Sequence, residues 1–365
     1  MGTVRLLLAL AVVFSHAIAF GIIPHYTPVF GYWPVDATVA VEMFYVVSGF
    51  LMGLILTEKY RALDGWFWKF WLNRYSRLLP GYLVVLALSS ILAPPSLLYF
   101  PNDTWRALLL KFNMVTMIGL EWPSFYSIGG QTAQAQLPVQ QAWTLGVELM
   151  FYVVVPALSR WRTRTLIVLT AALVFVRLLI ADAVPFFPWQ QRLWPLELTF
   201  FLFGLLAHRA YARWFSDGMH ARGGIASMAV IVMLICLSGY GDELRAWTPI
   251  NALFFTGILA VTMPSIFAAT RDWRIDRGIG EFSYPVYLIH MLAMNVMPGA
   301  RESFGAATVL TLIAAPPLVF FIERPLERWR QRFFKPRLRR QFQPPEFPTP
   351  QITSCRRESA AAASQ

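Results

Sequence analysis

Apolar residues in this chain fall in long blocks separated by short clusters of charge, not in the alternation of an amphipathic strand. Blocks of spanning length lie near residues 4–23, 38–57, 78–98, 143–159, 165–181, 196–210, 224–240, 249–269, 280–297 and 304–322. A helix needs about 20 apolar residues to cross a bilayer core. Several blocks are nearer 16, so their ends are loosely defined. The pattern predicts an all-α polytopic membrane protein with about ten transmembrane helices. A further run at 108–120 is too short to span and is expected to lie at the interface or re-enter. The segment 99–142 around it holds Pro101, Gly129-Gly130 and a polar run from Gln131 to Gln141. It is expected to be ordered only in part. The blocks group into one membrane domain, 1–332, followed by a basic and then Pro-, Ser- and Ala-rich tail, 333–365, whose composition is that of a disordered extension.

Composition supports this reading. The chain is 57% hydrophobic and 14% charged, against about 25% charged in soluble domains. In a soluble protein a net charge of +11 would suggest nucleic acid. Here no nucleic-acid partner is expected, because the charge is explained by its sidedness. With the N-terminus in the cytoplasm, 25 of the 31 Lys and Arg residues fall on inner segments and five on outer ones, with Arg177 inside a span. Positive residues stay inside, so both termini are predicted to be cytoplasmic. The first block also has the marks of a secretory signal peptide: Arg5, a short apolar core and Ala17-Ile18-Ala19. The charge alternation holds only if that block is kept as a helix. Cys236 and Cys355 offer neither a disulfide framework nor metal-ligand spacing, and no metal is expected.

The ionisable residues inside the blocks are few: His16, Glu42, Glu148, Arg177, Glu197 and His290. Such groups usually face a protein interior or a water-filled cavity. Arg5 and His16 are eleven residues apart, which places them within about 20° on one helix face and about 16 Å apart along the axis. In the predicted topology His16, Glu42 and Glu148 all fall in the outer half to middle of the membrane. A carboxylate beside a histidine orients it and makes it more basic, as a general base requires; helix-to-helix hydrogen bonding is the plainer use of such groups. Arg74 and Arg77 share a face at i, i+3 near the cytoplasmic end of the third helix. Arginine forks suit phosphate, though the pair also suits an anionic lipid surface. Tyr287 and His290 are also i, i+3 neighbours.

Six strings carry a resemblance. Arg5 and His16 match an Arg-x(10)-His pattern. Val41-Glu42-Met-Phe44-Tyr-Val-Val-Ser48-Gly49-Phe50-Leu51, Arg74-Tyr-Ser-Arg77 with Pro80, Trp143 through Glu148 and Tyr152 to Pro156, Tyr284 to His290, and Glu323-Arg324-Pro325 follow in order. Together they resemble the membrane acyltransferase-3 family of bacterial polysaccharide and Nod-factor O-acetyltransferases. The resemblance implies an enzyme of the bacterial inner membrane. It would move an acyl group, most often acetyl, from cytoplasmic acetyl-CoA or another acyl-CoA to a hydroxyl of a saccharide such as exopolysaccharide or lipopolysaccharide. It implies His16 as base, Glu148 and Glu42 as its supports, and Arg5, Arg74 and Arg77 as the cationic positions that meet the donor. Trp143, Tyr287 and His290 are assigned to the acceptor. Glu42 stands where the family has Asp, and the family's Leu-Asp-x-Leu-Arg lead-in is not seen before Arg5. The competing reading of the same intramembrane His and Glu residues is a proton-coupled transporter or flippase.

Overall fold

A computed structural model describes residues 1–19, 36–60, 66–92, 104–215, 221–237, 247–296 and 304–334. The predicted tail lies outside these residues beyond Phe334. The helices are α1 (Gly2–Ala19), α2 (Ala37–Ile55), α3 (Trp66–Leu92), α4 (Thr104–Thr116), α5 (Trp143–Leu158), α6 (Thr163–Leu179), α7 (Trp194–Trp214), α8 (Ala221–Leu237), α9 (Pro249–Thr270), α10 (Arg274–Glu281), α11 (Ser283–Val296), α12 (Phe304–Pro317) and α13 (Arg324–Phe334). Among the described residues six runs are long and apolar enough to cross a membrane: Gly2–Ala19, Ala37–Tyr60, Trp66–Leu92, Gln140–Leu158, Pro249–Thr270 and Thr308–Arg332. The protein is therefore a multi-pass membrane protein. The α6, α7, α8 and α11 helices, which the apolar pattern also counts as spans, fall short in length, hydropathy or charge.

Two boundaries differ from the apolar pattern. The third helix starts at Trp66, twelve residues before its apolar block, and carries Pro80 inside it. Arg74 and Arg77 therefore stand within a helix and not at the end of a loop. Between the eighth and ninth apolar blocks sits α10, polar and eight residues long, which no apolar pattern announces. The 99–142 segment is described from Thr104 on. It contains α4 and a tight antiparallel hairpin pairing Ser127–Ile128 with Gln131–Thr132. Gly129 and Gly130 turn it with φ of 59° and 80°, the left-handed pair that a two-residue hairpin favours.

The centre of the bundle is α2, buried along most of its length. It packs on α1, α7 and α9. Against α7 the backbones themselves meet: a Cβ at Gly49 would overlap the Phe201 carbonyl, and one at Gly204 would overlap the Val46 carbonyl. The start of α1 is pinned by α10. Asp276 accepts the backbone N–H of Gly2 at 2.8 Å and of Thr3 at 2.9 Å, the Thr3 hydroxyl at 2.8 Å and the Met1 ammonium at 2.7 Å. The first N–H groups of a helix have no partner within it, and a carboxylate is the natural one. Burial alone would raise the Asp276 carboxyl, but these donors outweigh it and hold it down to about 2. This anchor sets the height of Arg5 and His16 in the bundle.

Candidate active site

Arg5 lies one turn into α1, beside a cavity of about 110 Å³ that is lined by Ser48 of α2, Arg77 of α3, Glu148 and Tyr152 of α5, and Tyr284 and Tyr287 of α11, among others. A second cavity of about 420 Å³ shares Arg5, Arg77 and Tyr284 with the first. Its wall is strongly cationic: Lys59, Arg74, Arg277, Arg324 and Arg330, with Glu281, Glu323 and Glu327 between them. Arg5 and Arg77 thus stand at the junction of a small, mixed chamber and a larger basic one. Arg74 is buried, and its Nε and Nη1 have no hydrogen-bond partner among the described residues.

Glu148 is held on the chamber wall. Its Oε1 accepts the Ser48 hydroxyl at 2.7 Å and the Tyr152 hydroxyl at 2.5 Å. Tyr152 is four residues on, the next turn of the same face. Arg5 interacts electrostatically with Glu148, and both Arg5 and Arg77 with Glu323. Tyr287 donates to the Gln141 carbonyl at 2.7 Å and shares a hydrogen with the Thr144 hydroxyl at 2.7 Å. Trp143 is buried, with the Arg192 guanidinium 4.5 Å from its ring centre.

His16 sits near the far end of α1, half-buried. Its Nδ1 is 3.0 Å from the Val12 carbonyl and 3.2 Å from Nε2 of His290. His290 is fully buried, and its own Nδ1 is 2.7 Å from the Tyr287 carbonyl. A carbonyl can only accept, so each neutral ring carries its hydrogen on Nδ1. Nε2 of His290 is then an acceptor for the His16 Nδ1–H. Nε2 of His16 keeps its lone pair and makes no hydrogen bond among the described residues. Two carbonyls and a second histidine thereby set the tautomer that a general base needs.

The predicted residues therefore divide into three groups, with Trp143 apart from them under the Arg192 guanidinium. Arg5, Arg74, Arg77, Glu148 and Tyr287 line the joined cavities. His16 and His290 form a hydrogen-bonded pair. Glu42 stands elsewhere. It belongs to a buried cluster in which Arg177 reaches Glu197 at 2.7 Å and Glu42 at 3.8 Å, while the Trp247 indole donates to Glu42 at 3.0 Å. Neither Glu42 nor Glu148 makes a hydrogen bond to His16 among the described residues. Ser48, Tyr152, Glu323, Arg192 and Arg330 had no role assigned from sequence. The Glu148–Tyr152 spacing was a legible signal for one of these. Arg330 reaches the Asn73 carbonyl from α13 across the whole chain, which no local pattern reveals. Among the described residues no group of three His, Cys, Asp or Glu is arranged to hold a metal.

A profile of the family described as acyltransferase domain matches residues 2–322. The O-acetyltransferase OatA of Staphylococcus aureus (strain NCTC 8325 / PS 47) is 25% identical over 287 residues, which is 71% of this chain and 46% of that protein. The putative peptidoglycan O-acetyltransferase YrhL of Bacillus subtilis (strain 168) is 23% identical over 341 residues, 84% of this chain and 53% of that protein. The chain thus spans about half the length of these curated relatives. No solved structure matches. The match runs from the Arg5–His16 helix through the end of the tenth apolar block, and the chain belongs to the membrane acyltransferase-3 family.

Proposed function

We propose that the protein is an O-acetyltransferase of the bacterial inner membrane, with both ends of its membrane domain in the cytoplasm. Acetyl-CoA, or another acyl-CoA, is the donor, and a hydroxyl of an exported or cell-surface saccharide is the acceptor. The observation that carries this reading is the sequence of chemistries along α1. A basic cavity with unpartnered guanidinium nitrogens on Arg74 leads past Arg5 and Arg77, and a histidine of fixed tautomer with a free Nε2 stands about 16 Å further on. The names of the relatives support acetyl transfer to a glycan such as peptidoglycan.

In this reading Arg74, Arg77 and Arg330 hold the phosphates of the donor, as guanidinium forks do best. The acyl end extends past Arg5 toward His16. His16 Nε2 takes the proton from the acceptor hydroxyl as its oxygen attacks the thioester carbonyl carbon. The C–O bond forms and the C–S bond breaks. The thiolate leaves and receives the proton that His16 held. General-base help of this kind is worth about 10²–10⁴ in rate. His290 keeps His16 in the working tautomer, and Glu148, held by Ser48 and Tyr152, balances the charge of Arg5.

The test is transfer of label from acetyl-CoA in membranes that contain the full chain. Label is expected to appear on glycan, and His16→Ala and Arg77→Ala are each expected to abolish it while the protein still accumulates. Full activity in a well-expressed His16→Ala protein sinks the base assignment. Proton-dependent solute uptake without acylation replaces the enzyme reading with the transporter.

A further inference from the structure

Among the described residues Arg192 is a cation without a counterion. It lies between α6 and α7, and its guanidinium is packed between the rings of Trp143 and Phe187, 4.5 and 4.7 Å from their centres. Nη1 donates to the Ser124 hydroxyl at 2.8 Å, and Ser124 donates in turn to Gln134 at 2.9 Å. Nε is buried without a partner, and no carboxylate lies within ion-pair distance among the described residues. The contrast is with Arg177, Arg324 and Arg330, each of which has a carboxylate. Burial lowers Arg192, but only to about 9, so it stays charged at neutral pH. It interacts electrostatically with His16, Tyr45 and Tyr287. It therefore belongs to the His16 end of the site, away from the basic cavity.

A desolvated charge is costly unless it is paired. Two aromatic faces offset part of that cost through cation–π contacts shielded from water. They do not fill the fork. Phe187 is exposed beside it, and a flat apolar ring next to a polar loop suits the face of a sugar. We propose that Arg192 recognises a carboxylate on the acceptor saccharide, so that the enzyme selects acidic sugars over neutral ones. The single guanidinium matches the single charge of a carboxylate, and its planar fork matches the two oxygens. The inference rests on the reading that a saccharide binds at this end. It names the class of that saccharide.

The experiment measures binding, not transfer. The full chain in nanodiscs is titrated with a glucuronate-containing oligosaccharide and with the same oligosaccharide after carboxyl reduction, following tryptophan fluorescence. The wild type is expected to bind the acidic form about ten- to a hundredfold more tightly, the worth of one charged hydrogen-bond pair. Arg192→Gln is expected to bring the two affinities together without weakening the neutral form. Arg192→Lys should keep part of the preference. Ser124→Ala, which frees Nη1 without removing charge, should narrow the preference about threefold and stands in if Arg192→Gln fails to melt cooperatively. Equal affinities in the wild type, no binding of either sugar, or a preference that survives Arg192→Gln overturns the proposal. Acetylation of the same sugars is scored separately: selective binding without transfer refutes the acetyltransferase reading and leaves the Arg192 assignment standing.

Discussion

Replacing His290 by leucine separates two roles that a buried histidine beside the proposed base can have. If His290 only accepts the His16 Nδ1–H, its loss removes one neutral hydrogen bond at 3.2 Å. The Val12 carbonyl at 3.0 Å remains to hold the same tautomer. A net neutral hydrogen bond is worth about 0.5–1.5 kcal/mol, which is about a two- to tenfold loss in kcat. Leucine nearly matches the ring in volume, so little of the loss should come from a cavity at this fully buried site. His290→Gln restores an acceptor and should return most of the rate. Neither change should move KM for acetyl-CoA, because the donor cations lie at the other end of α1. The assay is initial-rate acetyl transfer in proteoliposomes at saturating donor, with His16→Ala as the reference, expected to lose about 10²–10⁴. If His290→Leu is as inert as His16→Ala, His290 itself carries the proton and the tautomer argument fails. If glutamine is worse than leucine, the hydrogen bond is not what matters.

Three further outcomes are expected. Arg177→Met leaves Glu42 and Glu197 buried and without their guanidinium, and should cost about 3–5 kcal/mol; adding Glu42→Gln and Glu197→Gln should recover most of it, and thermal melts showing simply additive losses contradict the cluster. Glu121, in the segment between α4 and α5, is buried, and burial, against a weaker pull from Trp122, holds its carboxyl up at about 7. A raised carboxyl stabilises fully below its unfolded value and loses that contribution as pH rises through 7, so Glu121→Gln should match the wild type at pH 4 and exceed it by about 3 kcal/mol at pH 8; an equal difference at both pH values refutes this. Gly204→Ala should destabilise by about 1–3 kcal/mol through overlap with the Val46 carbonyl, whereas Gly257→Ala on α9, where a Cβ meets nothing, should be neutral or slightly stabilising; equal melts for the two would remove the close-approach argument.

Position along each helix was legible from sequence, and lateral position was not. Counting residues from helix ends put Glu42 and Glu148 in one layer with His16. Rotation decides which of them face each other. Glu42 and Ser48 are six residues apart on α2, or about 120° around it. Ser48 turns to Glu148 and the chamber, so Glu42 turns away, toward Arg177. The Arg5–His16 face could be read because both residues are on one helix. The His16–His290 pair could not, since nothing local links residues 274 apart. The early start of α3 was hidden because Lys69, Asn73, Arg74, Ser76 and Arg77 lower its hydropathy, and helix formation does not require an apolar sequence. Arg192 was counted only as an outer-loop charge, and its lack of a counterion is visible only in three dimensions.

The backbone contact of α2 with α7 reaches further than stability. Gly49 follows Ser48 directly, so the point at which the two helices touch is one residue from the hydroxyl that orients Glu148. Any side chain at Gly49 or Gly204 would push α2 off α7 and carry Ser48 with it. A hydrogen bond of 2.7 Å tolerates only a few tenths of an ångström before it weakens. A random screen for inactive variants would therefore rank these two glycines beside Glu148, although neither touches the chamber, and a map of such hits would overstate the size of the catalytic centre.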